Sequence, residues 1–290
     1  MHVGWRRLSV CLLWACLACT APAQADARLP TVVSTNLCAD LLALQLAAPQ
    51  QLLSVSRKSQ DAALSPLAVQ AQQFPANDSS AEEIIALRPD IVLASKRWQS
   101  RHQSALFEHL GMRLVVVTFP LTWEEIFQST RTVADALQRT ETADILLTDV
   151  QQRLQKLQQR ERPLQVLYLR PNGGSAGRHT YVDTVLASVG AINHAAVRGH
   201  VGWGRFALEE MVLAPPDVFL LGDFARDAAW SRNGYARHPQ LQQLLAQTPH
   251  AQLNGNHWGC GNLQLIEAAE AIAAQLDRIA STHASAEVSL

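Results

Sequence analysis

The chain has 290 residues, 48% hydrophobic and 17% charged, with a formal net charge of −1. That length is one large domain or two of ordinary size. The hydrophobic content excludes disorder over most of the chain, and 24 Lys+Arg against 25 Asp+Glu with no basic run excludes an electrostatic nucleic-acid binder.

Met1–Arg7 carries Arg6 and Arg7 and no acid, Leu8–Cys19 is almost wholly apolar, and Ala23-Gln24-Ala25 is a small-x-small cleavage pattern. Residues 1–25 are therefore expected to be an export signal. The apolar run falls short of the roughly 20 residues a transmembrane anchor needs. Soluble export is favoured over lipid attachment at Cys16 or Cys19, since Leu13-Trp14-Ala15-Cys16 places a bulky Trp in the recognition stretch. Without the leader the net charge is −3, five tryptophans remain of seven, and only Cys38 and Cys260 remain of five cysteines. Those two are either bridged or separately buried thiols, and an oxidising compartment favours the bridge.

Two α/β lobes are expected, over residues 26–122 and 163–280, with a helical segment at 123–162 and a disordered tail at 281–290. Thr31–Ser34 reads as a β-branched strand, followed by an Ala/Leu-rich helix from Cys38 to Ala47. Ser80 with Glu83 three residues on is a helix start, and Arg88-Pro89 is its stop. Asp90–Ala94 and Leu114–Thr118 are apolar runs of buried-strand length, separated by a helix near Ser100–Leu110. Strands alternating with helices predict parallel sheets. In the central segment, Ala143, Leu147, Val150, Leu154 and Leu157 form one helical face, with Thr140 or Thr142 as the expected cap. A helix of about 20 residues would be a stiff strut of about 30 Å between the lobes. Strands at Val166–Leu169 and Ala251–Leu253 and helices at Tyr181–Val189 and Leu263–Ile279 complete the second lobe. Glu82–Leu93 aligns without gaps on Glu209–Leu220, an offset of 127 residues, which is too long for a solenoid and fits a duplicated lobe.

No enzyme motif is present, neither a nucleophile elbow, a P-loop, a zincin HExxH nor a CxxC pair, so neither catalysis nor a cofactor is expected. Asn172–Gly177 is read as a loop. The histidines are scattered; a direct metal receptor would have to gather residues such as His102, His200 and His257. Trp98, Trp203 and Trp258 each follow a strand, where open α/β sheets collect ligands. Trp203 and Trp258 are also flanked by glycines, and all three are expected on cleft walls. Arg97 and Arg205 beside two of them would meet anionic groups.

Val32–Cys38, Glu82–Leu93, Gly111 with its strand, Tyr181-Val182-Asp183, Gly202–Arg205 and Leu208–Leu221 follow one another in a characteristic order. In this the chain resembles the ABC-transporter substrate-binding proteins for cobalamin and ferric siderophores, over about Pro30–Ala280. The resemblance implies two lobes with parallel sheets joined by a long rigid helix, with a ligand cleft between them. It implies a monomer outside the cytoplasm that captures cobalamin or a related corrinoid, with a ferric siderophore or haem as the alternative. The partner would be an inner-membrane permease with its ATPase complex. By position, Trp98 and Trp203 match ligand-facing tryptophans, and Glu209 matches the second-lobe acid that docks on permease arginines. The first-lobe acid is expected on the helix after Trp98, where Gln99–Gln103 holds no carboxylate. Some relatives also carry cysteines at the places of Cys38 and Cys260.

Overall fold

A computed structural model describes residues 28–288, except 103, 158–161, 223–233 and 254. The leader expected over residues 1–25 lies outside the described residues. Five strands, β1 (Val32–Ser34), β2 (Leu52–Ser56), β3 (Ala76–Asn77), β4 (Ile91–Ser95) and β5 (Arg113–Val117), form one parallel sheet in the order β3-β2-β1-β4-β5. The second lobe holds β6 (Gln165–Leu169), β7 (Gly174–Ala176), β8 (Ile192–Asn193), β9 (Trp203–Arg205), β10 (Val218–Gly222) and β11 (His250–Leu253). There β11-β10-β6-β8 form a parallel sheet, and β7 and β9 make a separate antiparallel pair. Residues 91–94 and all of β10 are buried, as continuous apolar runs sandwiched between helices should be.

The duplication is visible in the hydrogen bonds. The order β2-β1-β4-β5 recurs as β8-β6-β10-β11. In both lobes a short helix, Ala81–Leu87 or Leu208–Leu213, leads through a proline turn into the central strand, β4 or β10. The Asp before each of those strands reaches across to its neighbour. Asp90 accepts from Thr31 N–H at 2.7 Å, and Asp217 from Gln165 N–H at 2.7 Å. The first of these bonds, with the Thr31 hydroxyl, holds the Asp90 carboxyl below its usual range.

Two antiparallel helices, Trp123–Leu137 and Thr140–Lys156, join the lobes. Each packs into both cores. Val133, Ala134, Leu137 and Ala143 belong to the first-lobe core, while Ile126, Leu147 and Val150 belong to the second. Neither Thr140 nor Thr142 caps the second helix: Thr140 is its first residue, and Arg139 at the cap position makes no side-chain cap bond. Arg153 grips Glu270 on the last helix through two bonds of 2.9 and 2.7 Å, which depress the Glu270 carboxyl.

Two further expectations change. Residues 172–177 are not simply a loop, because Gly174–Ala176 pairs with Trp203–Arg205. The last helix, Leu265–Val288, continues through most of the expected tail. Its Ser281 and Thr282 hydroxyls both donate back to the Arg278 carbonyl, and no Gly or Pro interrupts the run to Val288.

Candidate functional site

The contacts that join the lobes away from the helices come from segments that follow the carboxyl ends of strands. Cys38, on the helix after β1, is bonded to Cys260, after β11, with Cα atoms 5.5 Å apart. Asn256 donates to the Ala62 carbonyl at 3.3 Å, and the ring of Phe119, just past β5, lies 5.7 Å from that of Tyr181. The strand ends of the two sheets therefore face a common cleft, where ligands collect in such sheets.

Aromatic rings form the second-lobe wall. Tyr181 sits 5.2 Å from Trp203 and 5.8 Å from Trp258, and Tyr168 sits 6.3 and 5.8 Å from the same two rings. The Tyr181 hydroxyl donates to the Trp258 carbonyl at 2.7 Å, which fixes the cluster. Within it Trp203 remains 44% exposed, and Phe119 beside it is 52% exposed. Trp203 is held outward by the β7–β9 pairing, and Arg205, two residues on, shares its face of the strand. The Arg205 guanidinium also reaches 5.9 Å from the Tyr235 ring. Burial pushes the Tyr235 phenol up to about 12, so it stays protonated and donates to the Phe206 carbonyl.

Two expected wall residues are turned inward. Trp98 is buried in the first-lobe core rather than lining the cleft. Ser95 caps a four-residue helix at once after β4, and the Trp98 indole N–H donates to the Ser79 carbonyl at 2.9 Å. Its ring is stacked on His102 at 4.1 Å and edge-on to Phe107. Trp258 is likewise buried, beneath the tyrosines. Arg97 is exposed on the Lys96–Gln99 turn at the first-lobe edge.

The first-lobe edge carries a cavity of about 620 Å³ lined by Asn36, Ser56, Arg57, Lys58, Asp61 and Asp78, among others. Beneath Ser56 lies the buried Asp40, which accepts from the Ser56 N–H at 3.0 Å and from its hydroxyl. Desolvation outweighs these bonds and pushes the Asp40 carboxyl up to about 6. His102 bonds the Trp98 carbonyl, His200 pairs with Glu210 and His257 lies 2.8 Å from Glu267. Among the described residues no three metal-ligating side chains gather.

The second residues of the two short helices, Glu82 and Glu209, are both exposed and occupy equivalent places in the duplication. The next acid in each lobe is turned to its own framework: Glu83 accepts from Asp78 N–H, and Glu210 pairs with His200. Phe119, Tyr168, Arg57 and Lys58 were not singled out from sequence. Position just after a strand was the signal available for Phe119 and for Arg57-Lys58; nothing local marks Tyr168.

Duplicated parallel-sheet lobes, bridged by helices and facing each other across an aromatic cleft, define a two-lobed binding protein. The family profile of periplasmic binding proteins matches residues 32–252, and the chain belongs to that family. It is 23% identical over 180 residues to the uncharacterized ABC transporter substrate-binding lipoprotein YvrC of Bacillus subtilis (strain 168). That match covers 56% of this chain and 57% of the relative, so the chain spans little more than half of the relative's length. Among solved structures, the fold is similar to the periplasmic heme binding protein HutB of Vibrio cholerae (TM-score 0.69, 23% identity, 85% of this chain and 98% of that one). It is also similar to the periplasmic vitamin B12 binding protein BtuF of Vibrio cholerae (TM-score 0.61, 18% identity, 87% and 98%). No helix among the described residues is long and apolar enough to cross a membrane.

Proposed function

We propose that this protein captures a large tetrapyrrole-type metal chelate, a corrinoid or a haem, in the cleft and delivers it to an ABC permease from the periplasmic side. The observation that carries the reading is the convergence of two half-exposed rings, Phe119 from the first lobe and Trp203 from the second, on Tyr181. Exposed aromatic faces at the mouth of a preformed cleft suit a flat, partly apolar ligand. Structural relatives whose titles name haem and vitamin B12 support this size and shape. The test is equilibrium binding of cobalamin, cobinamide, haem and ferric siderophores, read by tryptophan fluorescence. Quenching by none of them at micromolar concentration removes the proposal.

For docking, the internal repeat assigns Glu82, rather than an acid after Trp98, as the first-lobe partner of Glu209. Both carboxylates stand free for permease arginines, while their neighbours do not. Changing Glu82 and Glu209 to alanine should abolish ligand-dependent stimulation of the permease ATPase and leave ligand affinity unchanged. Stimulation that survives the double change would remove the assignment.

A further inference from the structure

We infer that the ligand is an anionic metal chelate, with its negative groups held by Arg57 and Lys58 at the far end of the cleft from Phe119 and Trp203. This rests on the cleft reading above and narrows it to one charge class. Arg57 and Lys58 open the short 3₁₀ turn that follows β2, and both are exposed on the rim of the first-lobe cavity. Among the described residues neither side chain has a hydrogen-bond or ion-pair partner, so the fold gives them no task. The two acids on the same rim are already committed: Asp61 accepts from Ala63 N–H at 2.8 Å, and Asp78 accepts from Ser80 N–H at 2.8 Å. Each spends a carboxylate oxygen on its own turn.

The charge is segregated at this edge. The whole chain is slightly acidic, yet the loops after β2 and β4 carry exposed Arg57, Lys58, Lys96, Arg97 and Arg101. A cleft edge with one prevailing sign concentrates ions of the opposite sign. The spacing is set by the sheet. From β2 to β5 there are three strand steps, which puts the Arg57–Lys58 turn about 14 Å from Phe119. A planar chelate lying on the Phe119–Trp203 face would reach the cations with carboxylates on its periphery. A corrinoid, whose periphery is built of neutral amides, would leave both cations unanswered; a haem or an anionic ferric siderophore would not.

The test is competitive binding to the purified mature protein of four probes: haemin, a ferric tris-catecholate, ferrichrome and cyanocobalamin. The last two carry no net negative charge. The anionic probes should bind at least about tenfold more tightly than the neutral ones, the worth of one charge-assisted contact, and should weaken as salt rises. Arg57→Ala with Lys58→Ala should remove that preference, while Arg57→Lys with Lys58→Arg should keep it. Haemin preferred over the tris-catecholate identifies a flat ligand; the reverse order identifies a siderophore. Equal binding of neutral and anionic probes, or unchanged haemin affinity in the alanine pair, would overturn the charge assignment and leave the cleft reading standing. Failure of all four to bind would instead remove the cleft reading itself.

Discussion

Breaking the bridge between the lobes gives the largest expected change in stability. Cys38 and Cys260 are 222 residues apart, so the bond closes a loop over most of the ordered chain. The chain-entropy relation puts the stabilisation of so long a loop at about 5 kcal/mol, and removal of native bridges costs about 2–5 kcal/mol in practice. The Cys38→Ser, Cys260→Ser pair avoids a lone thiol and leaves the surroundings intact; Cys260 is buried beside the Leu37 contact of Gly259. At about 2–4 °C per kcal/mol for a chain of this size, the melting temperature should drop by about 10 °C. Calorimetry of the oxidised protein and the double variant would measure it. Equal melting temperatures would refute the reasoning, because the unfolded chain would then gain nothing from the cut.

Trp98 and Trp203 should respond in opposite ways. Trp98→Ala empties a core site and should cost about 3–5 kcal/mol in urea unfolding. Trp203→Ala should change stability by less than about 1 kcal/mol, yet weaken chelate binding at least about tenfold. The reverse pattern would move the cleft wall to Trp98. Asp40 makes stability depend on pH. Its carboxyl is raised from 3.8 to about 6, so the folded chain binds a proton between those values that the unfolded chain does not. This group therefore adds stability as pH falls through 6, and at pH 7.5 its ionised form costs up to about 3 kcal/mol. Asp40→Asn should gain on the wild type most at pH 7.5, with the gap closing by pH 4; a pH-independent gap in urea unfolding would contradict this. His194, held below its usual value by burial, acts in the opposite sense, losing stability as pH falls below 6.5, so the two must be separated by single variants.

Much of the frame was legible because its signals are local. Buried apolar runs marked β4, β5 and β10, Ser80 marked a helix start, and the Glu82–Leu93 repeat marked the duplication, down to the paired roles of Asp90 and Asp217. The direction of a side chain after a strand was not legible. Trp98 and Trp203 both follow strands, but a helix capped by Ser95 turns one inward and the β7–β9 pairing holds the other out. That pairing joins three-residue segments 27 to 31 residues apart, each containing glycine, and no local pattern announces it. Strand β2 was missed because Leu52–Ser56 is bounded by glutamines and basic residues, with no turn signal beside it. The cations at its end were missed with it.

The two lobes are fastened at several points, and this sets how a ligand is held. The bridging helices insert into both cores, the disulfide ties the first and last strand exits, and Thr184 donates to the Leu121 carbonyl at 2.8 Å where the first bridging helix begins. Gly261 lies so close to the Pro120 carbonyl that an added Cβ would come within 2.5 Å of it, so that seam tolerates no side chain. A hinge that closes around a ligand needs a few residues free to change their backbone angles, and these contacts occupy the places where it would sit. Binding should therefore draw on preformed walls, with Cα shifts of about 1 Å or less. Small-angle scattering with and without saturating chelate measures this directly. Indistinguishable profiles are expected for the oxidised protein, and a larger ligand-induced compaction for the Cys38→Ser, Cys260→Ser variant. Compaction of the oxidised protein by several ångströms in radius of gyration would mean that the fastenings yield, and that Glu82 and Glu209 change their separation when the cleft fills.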